Sequence, residues 1–361
     1  MKLLRFPSLA QQKIFELMGF HSLLILSFCS KRIKYLIQSL QRYRWKDIKF
    51  VNYSFVELEE IHITVGFDIK SERIYLFPYK GLVTNPMRVF GMDPEVSCSF
   101  DTRLCGSKYT YNTEEKQRVV QGIHDYLYQF FGSSIDYEVE SMETHLPPSL
   151  KNINSSRIKV PENTTADELE ACFTASPNQE YIEIGGHFTG NLCPNSVILG
   201  TEYLRIYCSG MHGDDILLRF RGKRLDVRQT NFHDSTIVCL LNDWRTNKKF
   251  ENLKSLLINS YEYKNYDAVK LLQDVGIKKM SQSEGILRLT WQMRLLYSTF
   301  LNFPRPPHRK WIPSAFESRD YLIRDGDGEK ASVFIEDHYV CFAVWNGSSC
   351  VTNHTSDKPN Y

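Results

Sequence analysis

Leu23 to Phe28 reads Leu-Leu-Ile-Leu-Ser-Phe, and Lys31, Arg32 and Lys34 follow closely. A surface helix needs one apolar stripe; a helix apolar on every side must be covered on every side. A signal peptide is the first alternative, since it carries an uninterrupted apolar core of ~7–15 residues and a small-residue cleavage site. Here Gln11, Gln12, Lys13, Glu16 and His21 break any core before Leu23, and no Ala-x-Ala-like site follows the run. No stretch reaches the ~18 apolar residues that span a bilayer. The run is therefore expected to be a helix inside a fold, in a chain of the cytoplasm or nucleus.

Its neighbours extend that reading to three helices. Phe6-Pro7 opens the first, because proline suits an initial turn. Leu9, Ile14, Leu17 and Met18 give it an apolar stripe, and Gly19 is expected to stop it in the left-handed conformation. Ser22 is the expected cap of the second helix and Ser30 of the third, in which Ile33, Leu36, Ile37 and Leu40 recur at helical spacing. Three short helices cannot hide this much apolar surface among themselves. Each large side chain left over represents ~1.5–3 kcal/mol of unused burial. The surplus packs either on another protein or on the rest of the chain. Charge is also uneven: residues 1–49 carry ten basic and two acidic side chains in a chain of net charge +2. A basic head suits an acidic partner or a solvated helical face.

The stretch from Phe6 to Ile37 resembles an F-box, the short helical motif that recruits a substrate receptor to an SCF-type (cullin-RING) ubiquitin ligase. Phe6-Pro7, Ile14-Phe15, Met18, Leu23-Leu24, Leu26 and Ser30-Lys31-Arg32-Ile33 fall in register with the family pattern. Phe6 stands where that pattern has leucine, and Ile33 where tryptophan is common. The resemblance implies docking on a small acidic Skp-type adaptor and, through it, on the cullin complex. The contact residues it implies are Pro7, Leu9, Ile14, Phe15, Met18, Leu23 and Leu24.

Beyond Trp45 the pattern changes to short β-like runs, at residues 48–58, 61–69 and 73–79. Residues 113–132 read as a helix with Thr113 as cap, a stripe of Val120, Ile123, Leu127 and Phe131, and Gly132 as terminator. Residues 145–165, rich in Pro, Asn and Ser, read as a linker. Thr165 and Glu168 then form a capping box at a new helix. Four similar strands start at Tyr181, Tyr203, Arg224 and Leu253, close to leucine-rich-repeat spacing. Between the last two, Ile237, Leu240, Leu241 and Trp244 share one helical face, with Asp234 as the expected cap. An ordinary α/β domain with chance spacing is the alternative. The expected class is α+β: a three-helix F-box over 1–46, a mixed β-rich region with one helix over 47–150, and an irregular leucine-rich-repeat-like α/β domain over 160–361.

That last segment resembles the F-box-associated domain of the second type, found behind F-boxes in a nematode-expanded family. Leu241, Trp244, Asn252, Leu253 and Leu256 carry the likeness, and Arg324, Asp325, Gly326, Val344 and Trp345 extend it to a closing hairpin. It implies a substrate-binding domain for a protein whose identity the sequence leaves open. Tyr261, Tyr263 and Tyr266 are either part of a recognition face or core.

Other chemistry finds little support. The nine cysteines form no Cys-x-x-Cys, and the pairs Cys98/Cys105 and Cys341/Cys350 fit no zinc spacing. Asp325 to Glu329 invites a calcium-loop reading, but Lys330 occupies the position that requires glycine, so a hairpin turn is expected. His212-Gly-Asp-Asp215 reads as a loop. No phosphate-cradling glycine loop, His-Glu-x-x-His or Gly-x-Ser-x-Gly occurs. The sequence thus suggests a non-catalytic receptor with no cofactor and no metal. The other reading is a basic helix-turn-helix-like nucleic-acid binder using Arg32, Arg42 and Arg44.

Overall fold

A computed structural model describes residues 2–68, 70–79, 90, 96–101, 106–210, 213–230, 232–260, 268–280, 286–294, 311–336, 339–345 and 350–352. The chain divides into two compact units, one built mainly of residues 1–158 and one mainly of 159–361.

Unit 1 opens with helices α1 (Ser8–Leu17), α2 (Phe20–Phe28), α3 (Lys31–Leu40) and the single turn α4 (Arg42–Trp45). Strands β1 (Ile48–Phe55), β2 (Ile61–Phe67), β3 (Ser71–Tyr79), β4 (Val96–Asp101) and β5 (Gly106–Asn112) follow, then helix α5 (Lys116–Phe131) and strands β6 (Asp136–Ser141) and β7 (Ser155–Lys159). The strands lie in the order β7-β6-β1-β2-β3-β5-β4. Alternation along them makes one face apolar: Val51, Tyr53 and Phe55 on β1 and Ile61, Ile63 and Val65 on β2 are all buried. Helix α5 buries Val119, Val120, Ile123, Leu127 and Phe130 in the same interior.

The four N-terminal helices join that interior. Phe15, Phe20, Leu23, Leu24, Ile33, Ile37 and Trp45 form one continuous core with the strands and α5. The Phe20 ring stacks on Phe131 at 6.1 Å, and Trp45 meets Phe130 and Phe131 at 5.5 and 5.7 Å. Residues 1–46 and 47–150, expected as separate domains, therefore lie in a single compact unit. Each part covers apolar surface that the other would leave open.

Several local expectations change. Gly19 is not left-handed: its φ is −66° and it precedes α2, which starts at Phe20, two residues before the expected cap Ser22. A left-handed glycine is not needed, because Arg44 donates to the carbonyls of Phe15 and Met18 at 3.2 and 3.0 Å and satisfies the end of α1. Ser30 does cap α3, accepting from the Ile33 amide at 3.2 Å. Thr113 begins a separate 3-10 turn, and Asn112 caps that turn instead. Gly132, at φ 91°, ends α5 in a backbone region that favours glycine. The expected linker over 145–165 contains β7, which pairs in parallel with β6.

Unit 2 alternates helices and strands: α6 (Ala166–Thr174), β8 (Tyr181–Gly185), α7 (Val197–Gly200), β9 (Tyr203–Gly210), α8 (Gly213–Arg219), β10 (Arg224–Thr230), α9 (Asp234–Arg245) and β11 (Ser255–Asn259). It continues with α10 (Ala268–Val275), β12 (Lys278–Lys279), β13 (Ile286–Arg294), β14 (Trp311–Ser318), β15 (Asp320–Ile323), β16 (Lys330–Glu336), β17 (Tyr339–Val344) and β18 (Cys350–Thr352). The main sheet runs β12-β15-β16-β17-β11-β10-β9-β8, and a small sheet runs β14-β13-β18. β8 to β11 are parallel, with Tyr181, Tyr203, Arg224 and Ser255 side by side. The Thr165–Glu168 capping box is formed, with reciprocal bonds of 2.8 and 3.2 Å. Ile237, Leu240, Leu241 and Trp244 are all buried, and Trp244 packs on Phe342 at 5.0 Å.

Asp234 does not cap α9. Asp214, on α8, accepts from the His233 amide at 3.0 Å and takes that role from outside the helix. Gly213 to Asp215, expected as loop, are the first turn of α8, while His212 lies outside the described residues. Asp325 to Glu329 close the antiparallel β15–β16 hairpin, with Gly326 and Gly328 at positive φ. Asp327 is engaged by Arg324 there, which holds its carboxyl down at about 2.

Candidate functional site

The candidate surface lies on α1, and helical periodicity decides which residues face it. Gln11 and Phe15 point into the core. Leu9, Lys13 and Leu17, spaced by four, line up on the opposite side of the helix. Leu9 is 68% and Leu17 89% exposed, and Phe6, just before the helix, is 50% exposed. Pro7 is the N-cap residue, itself exposed. The buried Gln11 side chain donates to the Phe6 carbonyl at 2.8 Å and fixes the turn that carries Phe6 and Pro7.

The charges of this face are arranged to leave its apolar groups clear. Lys13 pairs with Glu16 at 2.7 Å, which raises the lysine and lowers the carboxyl from their ordinary values. Tyr43, half exposed on α4, also approaches Glu16. The result is two exposed leucines on one face with Lys13 between them, beside the Glu16 carboxylate and the Tyr43 phenol. Exposed large apolar groups clustered in this way mark an interaction surface rather than a stability device.

The seven residues implied by the sequence resemblance separate in space. Pro7 and Leu9 are on the open face; Ile14 and Met18 are half-buried at its margin, packed against the core. Phe15, Leu23 and Leu24 are inside, at 0, 0 and 1% exposure. The surplus apolar side of α2 is thus taken up by this chain's own α5 and strands, and the part left uncovered is the outer face of α1. Leu17 and Phe6 belong to that open part. Periodicity could have found Leu17, because a residue two positions after the buried Phe15 must turn away from the core.

The basic residues behave differently from one another. Arg44 is committed to the end of α1 and to Gln41 at 3.2 Å, so it is not a free phosphate contact. Lys34 is held over the Tyr126 ring at 4.0 Å, and burial lowers its affinity for a proton. Arg32 and Arg42 remain exposed. Among the described residues no group of His, Cys, Asp and Glu has the arrangement of a metal site, and no helix is long and apolar enough to cross a membrane. Tyr261, Tyr263 and Tyr266 lie outside the described residues.

Residues 3–45 match the F-box domain family. No curated protein and no solved structure matches the chain. F-box domains bind a Skp-type adaptor in SCF complexes, which supports an adaptor-binding role for the segment that carries the exposed stripe.

Proposed function

We propose that this chain is the substrate-recognition subunit of an SCF-type ubiquitin ligase. The outer face of α1, with Phe6, Pro7, Leu9 and Leu17, docks on the acidic Skp-type adaptor, with Ile14 and Met18 at its edge. Phe15, Leu23 and Leu24 support that face from inside. Residues 160–361, similar to an F-box-associated domain of the second type, hold a target protein. The chain supplies proximity: a bound target meets the ubiquitin-charged enzyme as a local event instead of a bimolecular one. Ubiquitin transfer is left to the partners, and the chain acts in the cytoplasm or nucleus.

One observation carries this reading: among the described side chains of the segment that matches the F-box, Leu9 and Leu17 are the most exposed large apolar ones, and they share one face. The test is co-purification of the full chain with a Skp-type adaptor. Leu9→Asp combined with Leu17→Asp should abolish the complex while leaving the circular dichroism spectrum intact. Undiminished adaptor binding by that variant would overturn the docking face.

A further inference from the structure

The outer side of α3 and α4 is a band of cations and phenols. Lys31, Tyr35, Ser39, Arg42 and Lys46 follow at steps of four, four, three and four residues, which keeps them on one side of a helix. Arg32 and Tyr43 stand one residue further round. All seven are exposed, Tyr35 at 66% and Tyr43 at 49%, while Ile33 and Ile37 face the core. Gln41 alone separates the two helices. Its amide bonds the Ile37 carbonyl, and its carbonyl accepts from the Arg44 amide, each at 2.9 Å. At 1.5 Å of rise per residue the band is about 20 Å long.

No carboxylate of the neighbouring elements neutralises it. Lys31, Arg32, Arg42 and Lys46 make no ion pair with a described residue. On α1 the one acid, Glu16, is held by Lys13 at 2.7 Å. Helix α2 carries no acid, and its His21 pairs with Glu72, which Lys70 also reaches. On α5, Lys116 and Arg118 are paired with Glu143 and Glu115, and Asp125 accepts from Gln121 at 2.8 Å. After α4, Lys49 pairs with Asp68, and Asp47 is exposed beside Lys46. Four unpaired cations therefore stand against two carboxylates outside ion pairs, Asp47 and Asp125. Lys34 and Arg44, on other sides of the same helices, are held by the Tyr126 ring and the end of α1.

We propose that this band docks an acidic segment of a partner protein. The cations fall in two groups, Lys31 with Arg32 and Arg42 with Lys46, whose backbones are ~15 Å apart. An extended segment covers that distance in about five residues. Between the groups stand Tyr35 and Ser39, which are uncharged, and tyrosine and arginine are the residue types that dominate binding energy at protein interfaces. The amount of charge argues against a nucleic-acid duplex, which carries about twelve phosphates over 20 Å at one per ~1.7 Å. Four cations suit a polypeptide with a similar number of carboxylates. The start of α3 adds no anion site, because Ser30 already takes the Ile33 amide. The band does not rest on the receptor reading above.

The experiment measures fluorescence anisotropy of the full chain with a labelled twelve-residue Ser/Gly peptide carrying two Glu pairs separated by three residues. Binding should weaken with salt and fall about tenfold when either Glu pair is replaced by Gln. Arg32→Glu combined with Arg42→Glu should lower affinity about tenfold, and Tyr35→Ala several-fold, with unchanged circular dichroism. Lys248→Glu combined with Lys249→Glu makes the same change of charge on exposed lysines of unit 2 and should leave affinity unaltered. The band is overturned by no binding of the peptide, by a Glu probe that binds no better than its Gln form, or by equal losses in the two double variants. Tighter binding of an oligonucleotide of equal charge, or of phosphatidylserine vesicles, would also overturn it. Adaptor co-purification of the Leu9→Asp, Leu17→Asp variant is scored separately, so failure here leaves the docking face on α1 standing.

Discussion

The Ser27 hydroxyl on α2 and the Tyr126 hydroxyl on α5 lie 2.6 Å apart, joining residues separated by 99 positions in the chain. Around them, Phe28 meets Tyr126 at 5.2 Å, and Gln38 donates to the carbonyls of Gln129 and Phe130 at 2.8 and 3.0 Å. The N-terminal helices are thus held by polar and aromatic contacts to an element far downstream. Their stability is a property of unit 1 as a whole.

A fragment of residues 1–46 should accordingly fail to fold alone. Cutting after residue 46 uncovers Phe15, Phe20 and Leu24, each worth ~1.5–3 kcal/mol of burial, and ordinary domain stabilities are only ~5–15 kcal/mol. Circular dichroism of the fragment should show little helix and no cooperative thermal transition, whereas a fragment of 1–158 should show both. A cooperative transition in 1–46 would contradict the shared core.

Two leucines seven residues apart make the same point within one protein. Leu24→Ala removes a side chain that is 1% exposed and should cost ~2–5 kcal/mol, read as a clear drop in denaturant midpoint. Leu17→Ala, at a position 89% exposed, should stay within about 0.5 kcal/mol. Comparable losses at the two sites would mean that Leu17 is not on the surface.

The three N-terminal helices, strands β1 to β3, α5 and the strand starts at Tyr181, Tyr203 and Arg224 are all legible from periodicity, because each follows its own hydrophobic spacing. What periodicity left open was where the surplus of α2 goes. An all-round apolar helix looks the same whether its outer side meets a partner or its own chain, and only the position of α5 resolves it. Two capping assignments failed because the group at the helix end comes from elsewhere: Arg44 at the end of α1, and Asp214 at the start of α9. Such partners are distant in sequence and leave no local signal. β7 was hidden by its short polar sequence, Ser-Ser-Arg-Ile-Lys, since a strand with a polar face and one buried isoleucine has no period to read.

Acid should weaken unit 1 through His124. The side chain is buried between the Tyr53 hydroxyl at 3.1 Å and the Lys151 carbonyl at 2.6 Å, and burial lowers its affinity for a proton. The folded state then binds fewer protons than the unfolded state below the ordinary histidine value of ~6.5. Its contribution is complete above that pH and is lost as pH falls from about 6.5 toward the depressed folded value. Denaturant midpoints between pH 7.5 and 5 should fall in the native protein and fall less in His124→Gln. Identical pH slopes in the two proteins would remove His124 as the cause.

In unit 2 the strongest electrostatic prediction concerns Asp226, which holds both Arg205 and Arg228. Asp226→Ala leaves the buried Arg205 without its closest carboxylate, with Glu183 at 3.9 Å as the longer of its two ion pairs. Breaking such a pair from one side costs ~3–5 kcal/mol, whereas replacing both partners by apolar groups of similar volume is often neutral. Asp226→Leu combined with Arg205→Met should therefore be more stable than Asp226→Ala alone, with parallel β8 to β11 preserved. If the double variant is the less stable of the two in urea, the charges at these positions contribute more than their burial costs, and the pair is a stabilising element of the sheet.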